Sequence, residues 1–283
     1  MKRMAKAVFK VVVTLFALGV IGVALLLGVL RHEHNTGVTL PKPTGPFAVG
    51  RTMYTWVNNA ETDPLAAPPG EKREVVAWIW YPAAHNAHSK PVSYLPSAWQ
   101  SALAQHSGVL MSDLFTRDLA LVSAHSTLNP SVSPAQPSYP VVIMRAGGGA
   151  LTAFYTTLAE DLASHGYFVV GFDAPYRTSV VVLPDGRIIT RPPQNDPDNL
   201  PPAQASRLIN RLLPGWIDDM EFVVSELERL NTADPSGRFT GRLAMARLGI
   251  FGHSFGGAQA LQFCHDDKRC KAGIDLDGAP YGS

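Results

Sequence analysis

Leu248-Gly249-Ile250-Phe251-Gly252-His253-Ser254-Phe255-Gly256-Gly257-Ala258 reads as a strand, a tight turn and the start of a helix. The apolar run through Phe251 suits a buried strand, and Ala258 to Cys264 suits a helix. The turn between them has the Gly-x-Ser-x-Gly form that a nucleophile elbow requires. Such a turn holds its serine in strained backbone, and Gly252 and Gly256 let neighbouring chains approach without a Cβ in the way. The helix that follows presents free N–H groups, and that of Phe255 is placed to bind a developing oxyanion. Ser254 is therefore the expected nucleophile. His253 is a neighbour in the elbow and not the base, because adjacent residues there point away from each other. The plain alternative is a glycine-rich turn that happens to contain serine.

Upstream, Val141-Val142-Ile143-Met144 is a short buried strand, Phe154 to Ser164 a helix, and Phe168-Val169-Val170-Gly171-Phe172 the next strand, which makes a parallel βαβ unit. Arg145-Ala146-Gly147-Gly148-Gly149-Ala150 leaves the first of these strands. Three glycines let main-chain N–H groups point inward, and Gly148 is the expected second oxyanion donor, with Gly147 as its rival. The run lacks the Gly-Lys-Ser/Thr ending of a phosphate loop and the spacing of a dinucleotide fingerprint, so no cofactor is expected. Downstream, Ala272-Gly273-Ile274-Asp275-Leu276 is a further strand. Asp277 lies at its C-terminal tip, where open α/β sheets gather their sites, and it is preferred over Asp275 as the acid that orients an imidazole. A plain strand-end turn at Asp277-Gly278 is the bland reading.

The fold expected from this order is α/β, in the α/β-hydrolase arrangement of a mostly parallel sheet flanked by helices. A serine hydroxyl needs a base, and the order Ser, Asp, His places that base after the acid. All nine histidines stand at or before His265. The expectation is that the final strands, the closing helix and the catalytic histidine are missing from these residues.

Further out, Gly50 to Val57 alternates as a strand and Glu74 to Tyr81 suits a second, an expected antiparallel opening pair with Pro64 to Gly70 turning between them. Residues 91–138 read as a lid-like excursion with a helical patch over Leu103 to Leu121, in which Trp99, Leu103 and Leu110 suit either pocket or core. Ser179 to Arg191 reads as a hairpin turning at Asp185-Gly186, and a long helix follows from Ala203 to Leu230, with an interruption expected at Pro214-Gly215.

The domain plan is a basic N-terminus over 1–10, an apolar span over 11–30, a Pro/Gly-containing linker over 31–48 and one catalytic domain over 49–283. An uncharged run of about twenty residues covers the ~30 Å hydrocarbon core, and the basic residues before it favour a cytoplasmic N-terminus. An uncleaved anchor with an extracytoplasmic domain is preferred, and a cleaved signal with a secreted product is the rival. A net charge of +1 leaves no field for nucleic acid. No metal is expected, and nothing in the pattern specifies an oligomer. Cys264 and Cys270 either pair, as export allows, or stay two small buried thiols.

On Asp161-Leu162-Ala163-Ser164-His165-Gly166-Tyr167, Ile217-Asp218-Asp219-Met220, Gly252 to Gly257 and Asp275 to Asp277, the chain resembles the platelet-activating-factor acetylhydrolase family of plasma-type and bacterial lipases. The resemblance implies Ser254 as nucleophile, Asp277 as acid, Phe255 and Gly148 as oxyanion donors, and a histidine beyond Ser283. It departs from the family where Ala146-Gly147 replaces the usual His-Gly. The implied activity is a serine carboxylic-ester hydrolase or lipase acting on short-chain or phospholipid esters. The alternatives are a general esterase of dienelactone-hydrolase or polyesterase type, and a catalytically silent chain that at most binds lipids or partners. For the N-terminus the expected outcome is an intact mass that retains residues 1–31, and a mature start beyond Arg31 would sink the anchor.

Overall fold

A run of buried residues over Val49 to Thr52 of β2 (Ala48–Thr62) and near-complete burial along β3 (Lys72–Ala83) set the centre of the molecule. The computed structural model describes residues 2–85, 90–108, 111–198, 200–279 and 281. β2 and β3 pair antiparallel with Val57 opposite Glu74, as the alternation predicts. From Val75 to Tyr81 every side chain of β3 is buried, because helices cover both faces of the sheet.

The remaining strands of the main sheet are β1 (Val38–Thr39), β4 (Pro91–Ser93), β5 (Val122–Leu128), β6 (Tyr139–Arg145), β7 (Phe168–Asp173), β10 (Leu243–His253) and β11 (Cys270–Leu276). They run in the order β1-β5-β2-β3-β7-β6-β10-β11, with β4 against β5. The β7-β6-β10-β11 half is parallel throughout. β8 (Val180–Val182) and β9 (Ile188–Thr190) form the separate expected hairpin. The helices are α1 (Lys2–His34), α2 (Ser97–Ser107), α3 (Thr156–Ser164), α4 (Pro202–Ala233) and α5 (Phe255–Asp266).

Two apolar cores form on the two faces of the sheet. On one, Met220, Val223, Leu227 and Leu230 of α4 and Phe263 of α5 pack against Ile79, Tyr81, Ile143 and Phe168. On the other, Trp78 and Trp80 meet Trp99 of α2 and Ala159 and Ala163 of α3, with the Trp78 and Trp99 rings 5.3 Å apart, edge to face.

Three sequence expectations change. Part of the 91–138 segment is built into the sheet: β5 pairs parallel with β2. Its interior positions are the small Ala124 and Ser126, a weak strand signal, and the buried Glu160 carboxylate of α3 fixes it by accepting the N–H groups of His125 and Ser126. The helical patch divides into α2, a π turn at Met111–Phe115 and a 3₁₀ turn at Leu119–Leu121. In it Trp99 is core, Leu103 packs at the core's edge, and Leu110 lies outside the described residues. Finally, α4 is continuous through Pro214.

Tertiary partners gather where the interruption was expected. Arg177 reaches Asp219 and Asp63, both at 2.6 Å, and Arg73 reaches Asp219 at 3.3 Å and Asp218 at 3.1 Å. Both guanidiniums also approach the Gly215 carbonyl at 3.5 Å. Burial pushes the Asp219 carboxyl up to about 6, against the pull of Arg177 and Arg73. α1 is long and apolar enough to cross a membrane and buries none of its residues.

Removing one member of a buried charge cluster strands its partners. Asp219→Ala is expected to lower the unfolding free energy by about 3–5 kcal/mol in a urea titration. The half-exposed Asp218→Ala should cost no more than about 1 kcal/mol.

Candidate active site

β10 ends at His253 and α5 begins at Phe255, so Ser254 alone makes the turn between them. Its backbone sits at φ 55°, ψ −125°, a region that side chains other than glycine rarely occupy. The turn is closed from three directions. The Ser254 N–H donates to the Leu276 carbonyl of β11 at 2.8 Å, and the Ser254 carbonyl accepts from Gly257 N–H at 2.8 Å. A Cβ on Gly252 would lie 2.0 Å from the Gly256 carbonyl oxygen, and one on Gly256 would lie 2.5 Å from the carbonyls of Arg145 and Ala146. Phe255 opens α5, where the first N–H groups have no acceptor within the helix.

The loop after β6 lies against this turn. Arg145 anchors its start: buried, it donates to Gln259 Oε1 of α5 at 2.9 Å and to the Phe172 carbonyl at 2.8 Å, with its guanidinium 3.7 Å over the Phe172 ring. Burial lowers its pKa to about 10, so it stays charged at neutral pH. Asp173, at the end of β7, accepts from Thr152 N–H at 2.9 Å and Trp78 Nε1 at 2.8 Å, and burial still pushes its carboxyl up to about 6. Gly147 N–H donates to the Tyr155 hydroxyl at 3.2 Å, whereas Gly148, at φ 49°, lines an open cavity.

That cavity, of about 270 Å³, brings together Gly148, Ser254, Phe255 and Asp277. Asp277 has a left-handed φ of 60°. Asp275 is turned elsewhere: its Oδ1 accepts Gly278 N–H at 2.9 Å and fills the space over Gly257. His253 points out of the cavity, its Nδ1 2.8 Å from the Tyr155 hydroxyl. Among the described residues no histidine lines the cavity. Cys264 and Cys270 are bonded to each other, with Cα atoms 5.0 Å apart, and tie the end of α5 to the start of β11.

Several lining residues lay outside the sequence reading. Ile209, Leu212 and Trp216 come from α4 at helical spacing, a pattern that reads equally as core. Trp216 and Phe255 meet edge to face at 5.5 Å, and Phe255 and Tyr281 at 6.2 Å, making an aromatic wall. Arg191 closes the opposite side, pinned by Asp196 at 2.9 Å and Asp198 at 3.0 Å. Neither Arg191 nor Tyr155 belongs to a motif, so only spatial neighbours reveal them.

The sequence model of the family described as platelet-activating factor acetylhydrolase, isoform II, matches residues 32–178 and 222–281. A probable 1-alkyl-2-acetylglycerophosphocholine esterase from Arthroderma benhamiae is 26% identical over 275 residues, 93% of this chain and 65% of that protein. The platelet-activating factor acetylhydrolase of Canis lupus familiaris is 24% identical over 269 residues, 84% of this chain and 54% of that protein. Among solved structures, a ferulic acid esterase from Streptomyces cinnamoneus is 27% identical with a TM-score of 0.69, over 88% of this chain and 64% of that one. The chain thus spans between about half and two-thirds of the length of these relatives. The mostly parallel, helix-flanked sheet is the α/β-hydrolase fold.

The elbow's close packing leads to a paired prediction. Gly252→Ala forces backbone against backbone and should prevent recovery of a cooperatively melting protein. Gly148→Ala meets nothing within 4 Å and carries only the left-handed backbone cost, about 1–2 kcal/mol in a thermal melt.

Proposed function

The chain belongs to the platelet-activating factor acetylhydrolase, isoform II, family, and on that premise we propose that it is a serine esterase of lipase type, forming an acyl-enzyme on short-chain carboxylic or phospholipid esters. The observation that carries this reading is the strained Ser254, opening onto one cavity with Gly148, Phe255 and Asp277. In the proposed reaction Ser254 Oγ attacks the ester carbonyl. The N–H groups of Phe255 and Gly148 stabilise the oxyanion of the tetrahedral intermediate, the alcohol leaves, and water then releases the acid from the serine. Asp277 takes the role of orienting an imidazole, supplied from outside the described residues, that accepts the Ser254 proton and passes it to the leaving alcohol.

The size of the cavity supports a small acyl group, since about 270 Å³ is at or below the lower end of ordinary ligand pockets. The wall of Trp216, Phe255 and Tyr281 also suits a planar aromatic acyl group, the class after which the Streptomyces cinnamoneus relative is named. In the proposed topology α1 stays in the bilayer and holds the domain outside the cytoplasm, close to lipid esters; secretion after cleavage is the rival arrangement.

A second reading, a silent chain that binds lipid or partner without turning it over, is favoured by one observation: no described histidine lines the cavity. Turnover of p-nitrophenyl acetate and methyl ferulate by the detergent-solubilised chain separates the two readings. The esterase reading expects Ser254→Ala to lower the rate at least about 10³-fold with an unchanged melting curve. A wild-type rate no higher than that of Ser254→Ala would overturn it in favour of the silent chain.

A further inference from the structure

Tyr155 takes no part in the reaction just described, yet it touches both halves of the site. It closes a 3₁₀ turn in which Thr152 and Ala153 are buried and Phe154 is exposed, and its ring stands half-buried at the entry to α3. That hydroxyl lies 3.2 Å from Gly147 N and 2.8 Å from His253 Nδ1. The Tyr155 and His253 rings are 6.0 Å apart between centroids. Gly147 in turn fits against the elbow so closely that a Cβ on it would lie 2.9 Å from His253 Nδ1 and 3.1 Å from Ser254 Cβ.

Hydrogen-bond arithmetic orders these contacts. A backbone N–H can only donate, so the phenol oxygen accepts from Gly147. The phenol's own hydrogen goes to His253 Nδ1 when the imidazole is the Nε2–H tautomer, whereas with the proton on Nδ1 the imidazole donates to the phenol instead. Gly147 N–H is taken up by this contact, and Gly148 is the loop glycine that lines the cavity.

We propose that Tyr155 is a positioning residue that clamps the oxyanion loop to the nucleophile elbow, through the relay Gly147 N–H to Tyr155 hydroxyl to His253 Nδ1. The proposal rests on the esterase reading above. Its physical basis is that oxyanion donors act only when held close to their working geometry, and a shift of about 1 Å at such a site costs on the order of 10²-fold in rate. A loop freed from the elbow would lose the stabilisation of the transition state without losing the cavity that binds the ester.

Tyr155→Phe removes only the oxygen and keeps the ring. Its expected effect is a fall in kcat for p-nitrophenyl acetate of about 10- to 100-fold, with KM within about two-fold and an unchanged melting curve. His253→Gln, which keeps an acceptor for the phenol, should retain most of the rate, whereas His253→Leu should match Tyr155→Phe. Equal kcat for Tyr155→Phe and wild type would overturn the proposal, as would equal rates for His253→Gln and His253→Leu. A long-range ¹H–¹⁵N spectrum of the imidazoles supplies a readout independent of turnover. It should show His253 as the Nε2–H tautomer in the wild type and lose that preference in Tyr155→Phe. A wild type that shows the tautomer without hydrolysing esters would overturn the esterase reading while leaving the relay in place. Absence of the tautomer in an active wild type would overturn the relay alone.

Discussion

Backbone packed on backbone at the elbow is the constraint on which the rest of the site depends. β10 must end, turn through one residue and start α5 while the carbonyls of Arg145 and Ala146 stand 2.5 Å from where a Cβ on Gly256 would be. A turn this tight holds Ser254 at positive φ only because strands on both sides brace it, with β6 and β11 paired in register along β10. Strain of this kind persists where the surroundings over-determine it. The same crowding sets the loop after β6 and the tip of β11 at one end of the sheet, which is why Gly148 and Asp277 share a cavity with the serine.

Beneath that end lies a layer of buried charge. Arg145, Asp173, Arg177 and Asp219 are each almost wholly buried, and each ties together elements far apart in sequence. Arg177 joins the loop after β7 to Asp63 in the β2–β3 connection and to Asp219 of α4, while Arg145 joins β6 to α5 and β7. Buried ions are weak contributors to net stability, because desolvation offsets much of their attraction. Their consequence here is geometric: they tie α4, which is continuous through Pro214, to the sheet, and Trp216, one position past Gly215, meets Phe255 edge to face.

The N-terminal helix meets the domain at its last turn. Arg117 reaches Glu33 at 2.7 Å, and His34 Nδ1 lies 2.7 Å from the Thr116 carbonyl, so α2 and the turns after it sit next to the end of α1. The exposed Met111 and Phe115 belong to the same region. The segment 91–138 thus has two parts with different surroundings: one beside the helix end, and one, β5, inside the sheet.

Local chemistry made much of the molecule readable from sequence. The βαβ rhythm around Val141 and Phe168, the opening antiparallel pair, the Asp185-Gly186 hairpin and the strand–turn–helix around Ser254 each follow from patterns spanning no more than 32 residues. Of the two acids that the alternation along Ile274 to Asp277 distinguishes, Asp277 lines the cavity and Asp275 accepts the Gly278 N–H. Long-range contacts decided the rest. β5 is a strand because β1, β2 and β4 pair with it, while Glu160 of α3 accepts the N–H groups of His125 and Ser126. α4 runs unbroken through Pro214 in a stretch where two arginines from other elements meet Asp219 and the Gly215 carbonyl. Tyr155, Arg191 and the α4 face enter the site through neighbours contributed by other segments. Sequence determines what a segment can form with its own hydrogen bonds and apolar face, and tertiary structure determines which polar groups from elsewhere complete it, since buried donors and acceptors must find partners wherever the chain brings them.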